Sequence, residues 1–232
     1  MGSNLGWGIV GAAGIADREM APAINRCSGG ELIGVVSRDQ TRASDFAERH
    51  GAAQALTSYD ELLALADVDI VYIATPNALH PDQVVAAAQA GKHILCDKPL
   101  AITVADARRA AEAADAAGVK LGINFQTRHH EVMPEIRDRI ANGDIGDPLI
   151  VQCELSPGRK LLAGWRTDSA LAGLGTTNNL AIHAYDLLRY LLDDEVIEVT
   201  ALYDVGRRAE QETVALAPVS YTHLTLPTTP YV

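Results

Sequence analysis

The sequence predicts an α/β protein: a doubly wound parallel sheet followed by an incomplete α+β domain. Three observations predict it. Short apolar runs alternate with helix-compatible stretches up to residue 125, the first of those runs breaks into a turn of small residues, and the rhythm changes beyond Phe125. A chain of 232 residues, 48% hydrophobic and 21% charged, has ample material for a buried core.

Residues 7–10 form the first apolar run, which breaks at Gly11, Ala12, Ala13 and Gly14 and passes through Ile15 and Ala16 into a helix ending near Arg26. A second run over 32–36 follows the turn at Ser28, Gly29 and Gly30. This strand–helix–strand unit has a right-handed crossover, so its strands lie parallel. Residues 41–50 suit a helix stopped by Gly51, and Ser58 with Glu61 has the spacing of a capping box. Residues 68–74 are nearly all apolar and β-branched, as a strand covered on both faces requires. A helix over 81–90 stopped by Gly91, a strand over 93–96, an alanine-rich helix over 105–117 and a strand over 121–125 continue the pattern.

Beyond it, 135–141 predict a short helix, 143–148 a turn-rich joint and 149–154 a strand. A loop over 164–177 precedes a helix over 180–192, and 196–203 alternate like a half-exposed strand. The domain reading is 1–125 for the sheet, 126–218 for a partial second domain, and 219–232 for a tail of non-native character. That tail has no acid or base apart from His223 and no amphipathic period.

The net charge of −11 argues against a nucleic-acid or anionic-membrane surface, where basic residues supply the affinity. Cys27, Cys96 and Cys153 are too scattered for a disulfide framework or a metal site, which fits a reducing, cytoplasmic setting. No apolar run approaches the roughly 20 residues of a membrane span, and the chain reaches a strand-like run by Leu5 without a leader pattern. His129, His130 and Glu131 do not make a metal site: adjacent histidines point apart, and no third ligand lies at useful spacing.

A small-residue turn between strand and helix lets backbone N–H groups and the positive helix end approach a pyrophosphate. Gly11, Ala13 and Ala16 hold the three small-residue positions of a dinucleotide fingerprint, with Gly14 and Ile15 between the last two. Ala13 sets a methyl group where the phosphate comes closest. At the end of the second strand an acid would bind a ribose 2′-OH, but the chain has Ser37 and Arg38, a hydroxyl and a guanidinium fork suited to a 2′-phosphate. The expected cofactor is NADP, with NAD the alternative if Arg38 is merely solvated and Asp39 contacts the ribose.

Several motifs go together. They are Gly8-Ile9-Val10-Gly11, Ser37-Arg38-Asp39, Ala74-Thr75-Pro76-Asn77 with His80, Ala90-Gly91-Lys92-His93 running into Asp97-Lys98-Pro99, Ile145-Gly146, and the stretch from His183 to Tyr190. Over about residues 6–205 the chain resembles the family of glucose-fructose oxidoreductase and inositol dehydrogenase, the Gfo/Idh/MocA oxidoreductases. Cys96-Asp97-Lys98, Gly164-Trp165-Arg166 and Ser37-Arg38 most resemble an NADPH-dependent reductase branch of it. The resemblance implies a Rossmann domain and hydride transfer between NADP(H) and a sugar or polyol-type carbonyl or alcohol. Thr75, Pro76, Asn77, His80 and Asp97 would then lie on the cofactor side, and Trp165, Arg166 and Arg128 would line the nicotinamide or substrate pocket. It also implies a longer second domain and a homo-oligomer face, which a chain of this length would hold only in part.

Reducing a ketone needs a hydride, which the cofactor supplies, and a proton with charge stabilisation, which the protein supplies. By the same resemblance, Lys98 places an ammonium on the developing oxyanion and His183 delivers the proton. Asn179, His183 and Asp186 recur at four and three residues and share one face of a helix. By the resemblance, Lys98, Asn179 and His183, together with Arg128, are also the expected substrate contacts. Two departures stand out: Asp97 replaces the family's usual Glu, and Asn179 replaces an Asp four residues before the histidine. The competing reading is a non-catalytic nucleotide-binding or sensor protein; a methyltransferase is more distant, because nothing in it explains Lys98 with His183.

Overall fold

The computed structural model describes residues 4–12, 14–155, 164–204 and 214–221. The chain divides into two compact units, Met1–Asn124 and Phe125–Val232. No helix among the described residues is long and apolar enough to cross a membrane.

The first unit is a six-stranded sheet in the order β3-β2-β1-β4-β5-β6. Its strands are β1 (Leu5–Val10), β2 (Gly30–Val36), β3 (Gln54–Leu56), β4 (Ile70–Ile73), β5 (His93–Asp97) and β6 (Leu121–Asn124). All five pairings are parallel. Strand order reverses between β1 and β4, which opens a crevice at their carboxyl ends. The helices are α1 (Ala21–Arg26), α2 (Gln40–His50), α3 (Tyr59–Leu63), α4 (His80–Gln89) and α5 (Val104–Ala116).

Side chains alternate across the sheet with period two, so each strand feeds two cores. Ile9, Val35 and Tyr72 pack on one face with Ala21 and Ile24 of α1 and Phe46 and Ala47 of α2. Val10, Val36, Val71 and Ile73 pack on the other with Leu62 of α3, Val84 and Ala87 of α4 and Ala110 of α5. Burial on both faces explains the uninterrupted apolar runs that marked these strands.

Local chemistry sets the helix ends. Asp39 caps α2, its Oδ1 accepting from Arg42 N–H at 3.0 Å. Ser58 Oγ accepts from Glu61 N–H at 3.4 Å, the hydroxyl half of the expected capping box. The first helix departs from expectation: Ala16–Met20 is a π-helical turn that closes with Ala21 N–H on Ala16 O before α1 begins. Pro22 gives the reason, since it lacks an N–H and its ring would strike the carbonyl four residues back in an unbroken α-helix. β3 was not anticipated, because three residues carry too little periodicity.

The second unit contains α6 (Met133–Ala141), α7 (Ser169–Ala172) and α8 (Ile182–Leu192). Four strands follow: β7 (Val196–Val199), β8 (Leu202–Asp204), β9 (Val214–Leu216) and β10 (Val219–Tyr221). They pair antiparallel as β10 with β7 and β8 with β9. The strand expected over 196–203 is therefore two strands in two sheets. Thr200 N–H bonds Pro218 O at 3.1 Å, the last link to the β10 side before β8 takes up β9. The strand expected over 149–154 is also not formed; residues 149–155 have no ladder among the described residues. An apolar run alone does not make a strand without a neighbour to take its N–H and C=O groups. Leu149, Val151 and Cys153 instead line an apolar cavity of about 340 Å³ with Leu180, Tyr185 and Leu216. The first residues of the expected tail are β10, with Ser220 and Tyr221 buried; 222–232 lie outside the described residues.

Candidate active site

The carboxyl edge of the parallel sheet gathers the nucleotide candidates of the first unit. Gly11 follows β1 at φ +106°, where a Cβ would stand 2.6 Å from Ala74 O, so only glycine lets the β1 and β4 ends approach this closely. Gly11 N–H bonds Val36 O at 3.0 Å and Ala74 N–H bonds Val10 O at 2.8 Å, fixing the turn between its neighbours. Gly14, exposed at φ +58°, has nothing within 4 Å of its would-be Cβ. The turn therefore leaves room beside its backbone, as a pyrophosphate requires. Ile15 is half-buried and Ala16 fully buried under the π turn. Ala13, the middle fingerprint position, lies outside the described residues.

An acid in the first turn of this helix would repel phosphate, and Asp17 stands there. Arg49 Nη2 reaches its Oδ1 at 2.8 Å and His50 Nε2 at 2.7 Å. His50 first, then Arg49, hold the Asp17 carboxyl below its ordinary value. No local pattern announces this trio, because Arg49 and His50 lie 32 and 33 residues from Asp17.

At the end of β2, Ser37 is buried and its Oγ accepts from Asp39 N–H at 3.3 Å. Arg38 is exposed and makes no ion pair among the described residues. Asp39 is the cap of α2, its carboxylate accepting from Arg42 N–H. An Asp directly before a helix was the signal for that role.

The loop after β4 carries Thr75, Pro76 and Asn77, the last buried. Thr75 Oγ1 donates to Gln83 Oε1 at 2.5 Å. His80 is fully buried: Nδ1 lies 2.7 Å from Pro99 O and Nε2 lies 2.9 Å from Thr75 O. Its ring faces backbone on both sides, so its expected link to the cofactor passes through the two loops it touches. β5 ends at Asp97, and Lys98 follows directly, half-buried, with a cis peptide to Pro99. Cys96, fully buried, is pushed well up by burial and then by Asp97, which keeps it an inert thiol.

The second unit carries the remaining candidates. Asn179 lies in a π-helical turn, Thr177–Ala181, and its N–H bonds Gly175 O at 3.1 Å. His183 is the second residue of α8, and the Phe125 ring meets it edge-on at 6.4 Å between centroids. The helix expected to begin at 180 thus opens with a π turn, which changes the angular offset between Asn179 and His183 from that of a regular α-helix. Asp186, 6% exposed, is forked by Arg128: Nε donates to Oδ2 at 2.9 Å and Nη2 to Oδ1. Arg128 and Arg137 both lie over the Tyr190 ring, at 5.4 and 5.1 Å. The expected substrate contact Arg128 is therefore held by an acid 58 residues away, a pairing that no local pattern announces. Trp165 and Arg166 lie half-buried in the 3₁₀ turn Gly164–Thr167, with the guanidinium 4.5 Å from the indole centroid.

Comparison with known proteins bears on the family and the fold. Residues 5–125 match the Gfo/Idh/MocA oxidoreductase family, NAD-binding Rossmann fold, and residues 133–224 match a C-terminal domain of the same family. The chain is 40% identical over 200 residues to 1,5-anhydro-D-fructose reductase of Ensifer adhaerens, covering 84% of this chain and 59% of that protein. Among solved structures it is similar to aldose-aldose oxidoreductase from Caulobacter crescentus complexed with glycerol. There the TM-score is 0.83 at 29% identity, over 94% of this chain and 68% of that one. It is also similar to the WlbA dehydrogenase from Bordetella pertussis in complex with NADH and UDP-GlcNAcA. There the TM-score is 0.85 at 28% identity, over 95% of this chain and 64% of that one. The chain thus spans about three fifths of the length of the curated relative. With the fingerprint turn, the reversed strand order and both domain matches in hand, the chain belongs to the Gfo/Idh/MocA oxidoreductase family.

Proposed function

We propose that this chain carries the machinery of an NADP-dependent oxidoreductase acting on a sugar or polyol-type carbonyl or alcohol. The observation that carries the reading is the position of Lys98. It directly follows β5 on the carboxyl edge of the sheet that also holds the Gly11 turn and the β2 end with Arg38. Ligands of open parallel sheets bind along that edge. Ser37 and Arg38 would hold a 2′-phosphate, and Gly11 to Ala16 would take the pyrophosphate. When bound, a reduced nicotinamide supplies the hydride.

Lys98 then stabilises the negative charge on the substrate oxygen, and His183 supplies the proton that oxygen requires. The similarity to 1,5-anhydro-D-fructose reductase supports a sugar ketone as substrate. The test follows NADPH and NADH oxidation with a panel of sugar ketones that includes 1,5-anhydrofructose, for the wild type and for Lys98→Ala. Loss of turnover with NADPH binding retained in Lys98→Ala supports the role; unchanged turnover removes it. Asn179, standing where many members carry an acid, favours the second reading, a nucleotide-binding protein without turnover. NADPH binding with no oxidation of NADPH by the wild type across the panel would select it.

A further inference from the structure

Lys98 is followed directly by Pro99. Pro99, its neighbour, has its carbonyl oxygen 2.7 Å from Nδ1 of His80. Nε2 of the same ring lies 2.9 Å from the carbonyl oxygen of Thr75, in the loop that follows β4. His80 is the first residue of α4 and is fully buried, so no solvent competes for either contact. Thr75 is fastened a second time to the same helix, its hydroxyl donating to Gln83. One imidazole therefore stands between two loops at the carboxyl edge of the sheet, and one of them carries Lys98.

We infer that His80 is a positioning residue for Lys98, its ring tying the Lys98–Pro99 turn to the Thr75 loop. This rests on the reading of Lys98 as the group that faces the substrate oxygen. His80 touches neither substrate nor reacting atoms; it acts through the backbone on either side.

The chemistry of the ring gives the tie a second property. Both partners are carbonyl oxygens, which only accept. A neutral imidazole has one N–H and one lone pair, so it satisfies one carbonyl and turns its lone pair on the other. The imidazolium donates to both. Burial holds His80 below its ordinary titration range, against the pull of the two carbonyls and of Asp97; Lys98, the other charged group facing it, pushes the same way as burial. The single tie is thus the neutral-pH form, and the double tie forms on acidification below the ordinary histidine value of about 6.5.

The test reads Lys98 directly and needs neither cofactor nor turnover, so its failure is separate from failure of the proposed activity. Competitive acylation with a small amine reagent, quantified on the Lys98 peptide by mass spectrometry, compares the wild type with His80→Phe and His80→Gln. Loss of one hydrogen bond to a buried carbonyl predicts about tenfold faster labelling of Lys98 in His80→Phe. His80→Gln, which keeps a donor, should recover part of the difference. The ratio of His80→Phe to wild-type labelling should also grow as the pH falls through the His80 titration, located in the wild type by NMR of the ring protons, because only the wild type gains the second donor. Lys98 labelling at the wild-type rate in a folded His80→Phe, or a ratio flat through that titration, overturns the inference. If His80→Phe does not fold, the same comparisons on His80→Gln decide: a change in Lys98 labelling supports the tie, and the wild-type rate and pH profile overturn it.

Discussion

Arg128 forks onto Asp186, with Nε donating to Oδ2 at 2.9 Å and Nη2 to Oδ1, and so fastens the segment after β6 to α8 one turn beyond His183. The same segment presents Phe125 edge-on to the His183 ring. The acid is buried, so removing its partner leaves a carboxylate with a desolvation cost and no fork to offset it. Arg128→Ala should therefore destabilise the chain by roughly 2 kcal/mol, and Arg128→Lys by about 1, because an ammonium cannot reproduce a bidentate contact. Urea denaturation followed by circular dichroism checks both values. An Arg128→Ala variant as stable as the wild type would free this side chain for a substrate role alone.

Arg38 and Asp39 are neighbours to which the proposed function gives separate duties. Arg38→Ala should weaken NADPH binding about tenfold or more and leave NADH binding unchanged, since a charge-assisted fork to the 2′-phosphate is lost. Asp39→Ala should instead lower stability by about 1 kcal/mol through loss of the α2 cap, with the NADPH to NADH preference unchanged. Fluorescence titration of each variant with both nucleotides separates the two. A drop in NADPH preference from Asp39→Ala would overturn the division.

These two pairs mark what a sequence reveals and what it conceals. The parallel sheet was legible because β1, β2, β4 and β5 are buried on both faces, so the apolar content is concentrated in short runs between helices. The place of Arg38 at the end of β2 was legible because it follows from the strand itself, which ends at Val36. Asp186 and Asp17 were not, because their partners Arg128, Arg49 and His50 reach them only after the chain has folded back. The same applies to His80: its two carbonyl contacts are to backbone, and backbone acceptors have no residue signature. The strand expected over 149–154 was misread for the opposite reason, since an apolar run is necessary for a strand but its pairing depends on another segment.

Asp17 gives a pH prediction whose sign follows from its partners. Hydrogen bonds from His50 and then Arg49 lower its folded pKa from 3.8, so its contribution to stability is present above that value and is lost as pH falls through the lower folded one. The pair is partly exposed, at 52% for Arg49 and 34% for Asp17, which limits the effect. Asp17→Asn should cost less than about 1 kcal/mol near neutrality, and the gap to the wild type should close as the pH falls below 3.8. Urea melts near neutral pH and in the acid range measure it; a gap that stays constant into acid would show that the Asp17 charge contributes nothing.

If His183 is the acid of the proposed reaction, Asn179 allows that role to be tuned without touching the histidine. Its side chain is an amide on the π turn that leads into α8, four residues before His183. A carboxylate there would favour the imidazolium, which an amide cannot do by charge, and an opposite charge at short range raises a histidine pKa by about one unit or more. Asn179→Asp should therefore move the His183 titration upward, read by NMR of the ring protons. If the proposed activity holds, it should also extend turnover to higher pH, because the acid stays protonated further into the alkaline range. An unmoved His183 titration in Asn179→Asp would mean that the π turn directs position 179 away from the ring, and the proton donor of this chain would then work without a partner at that position.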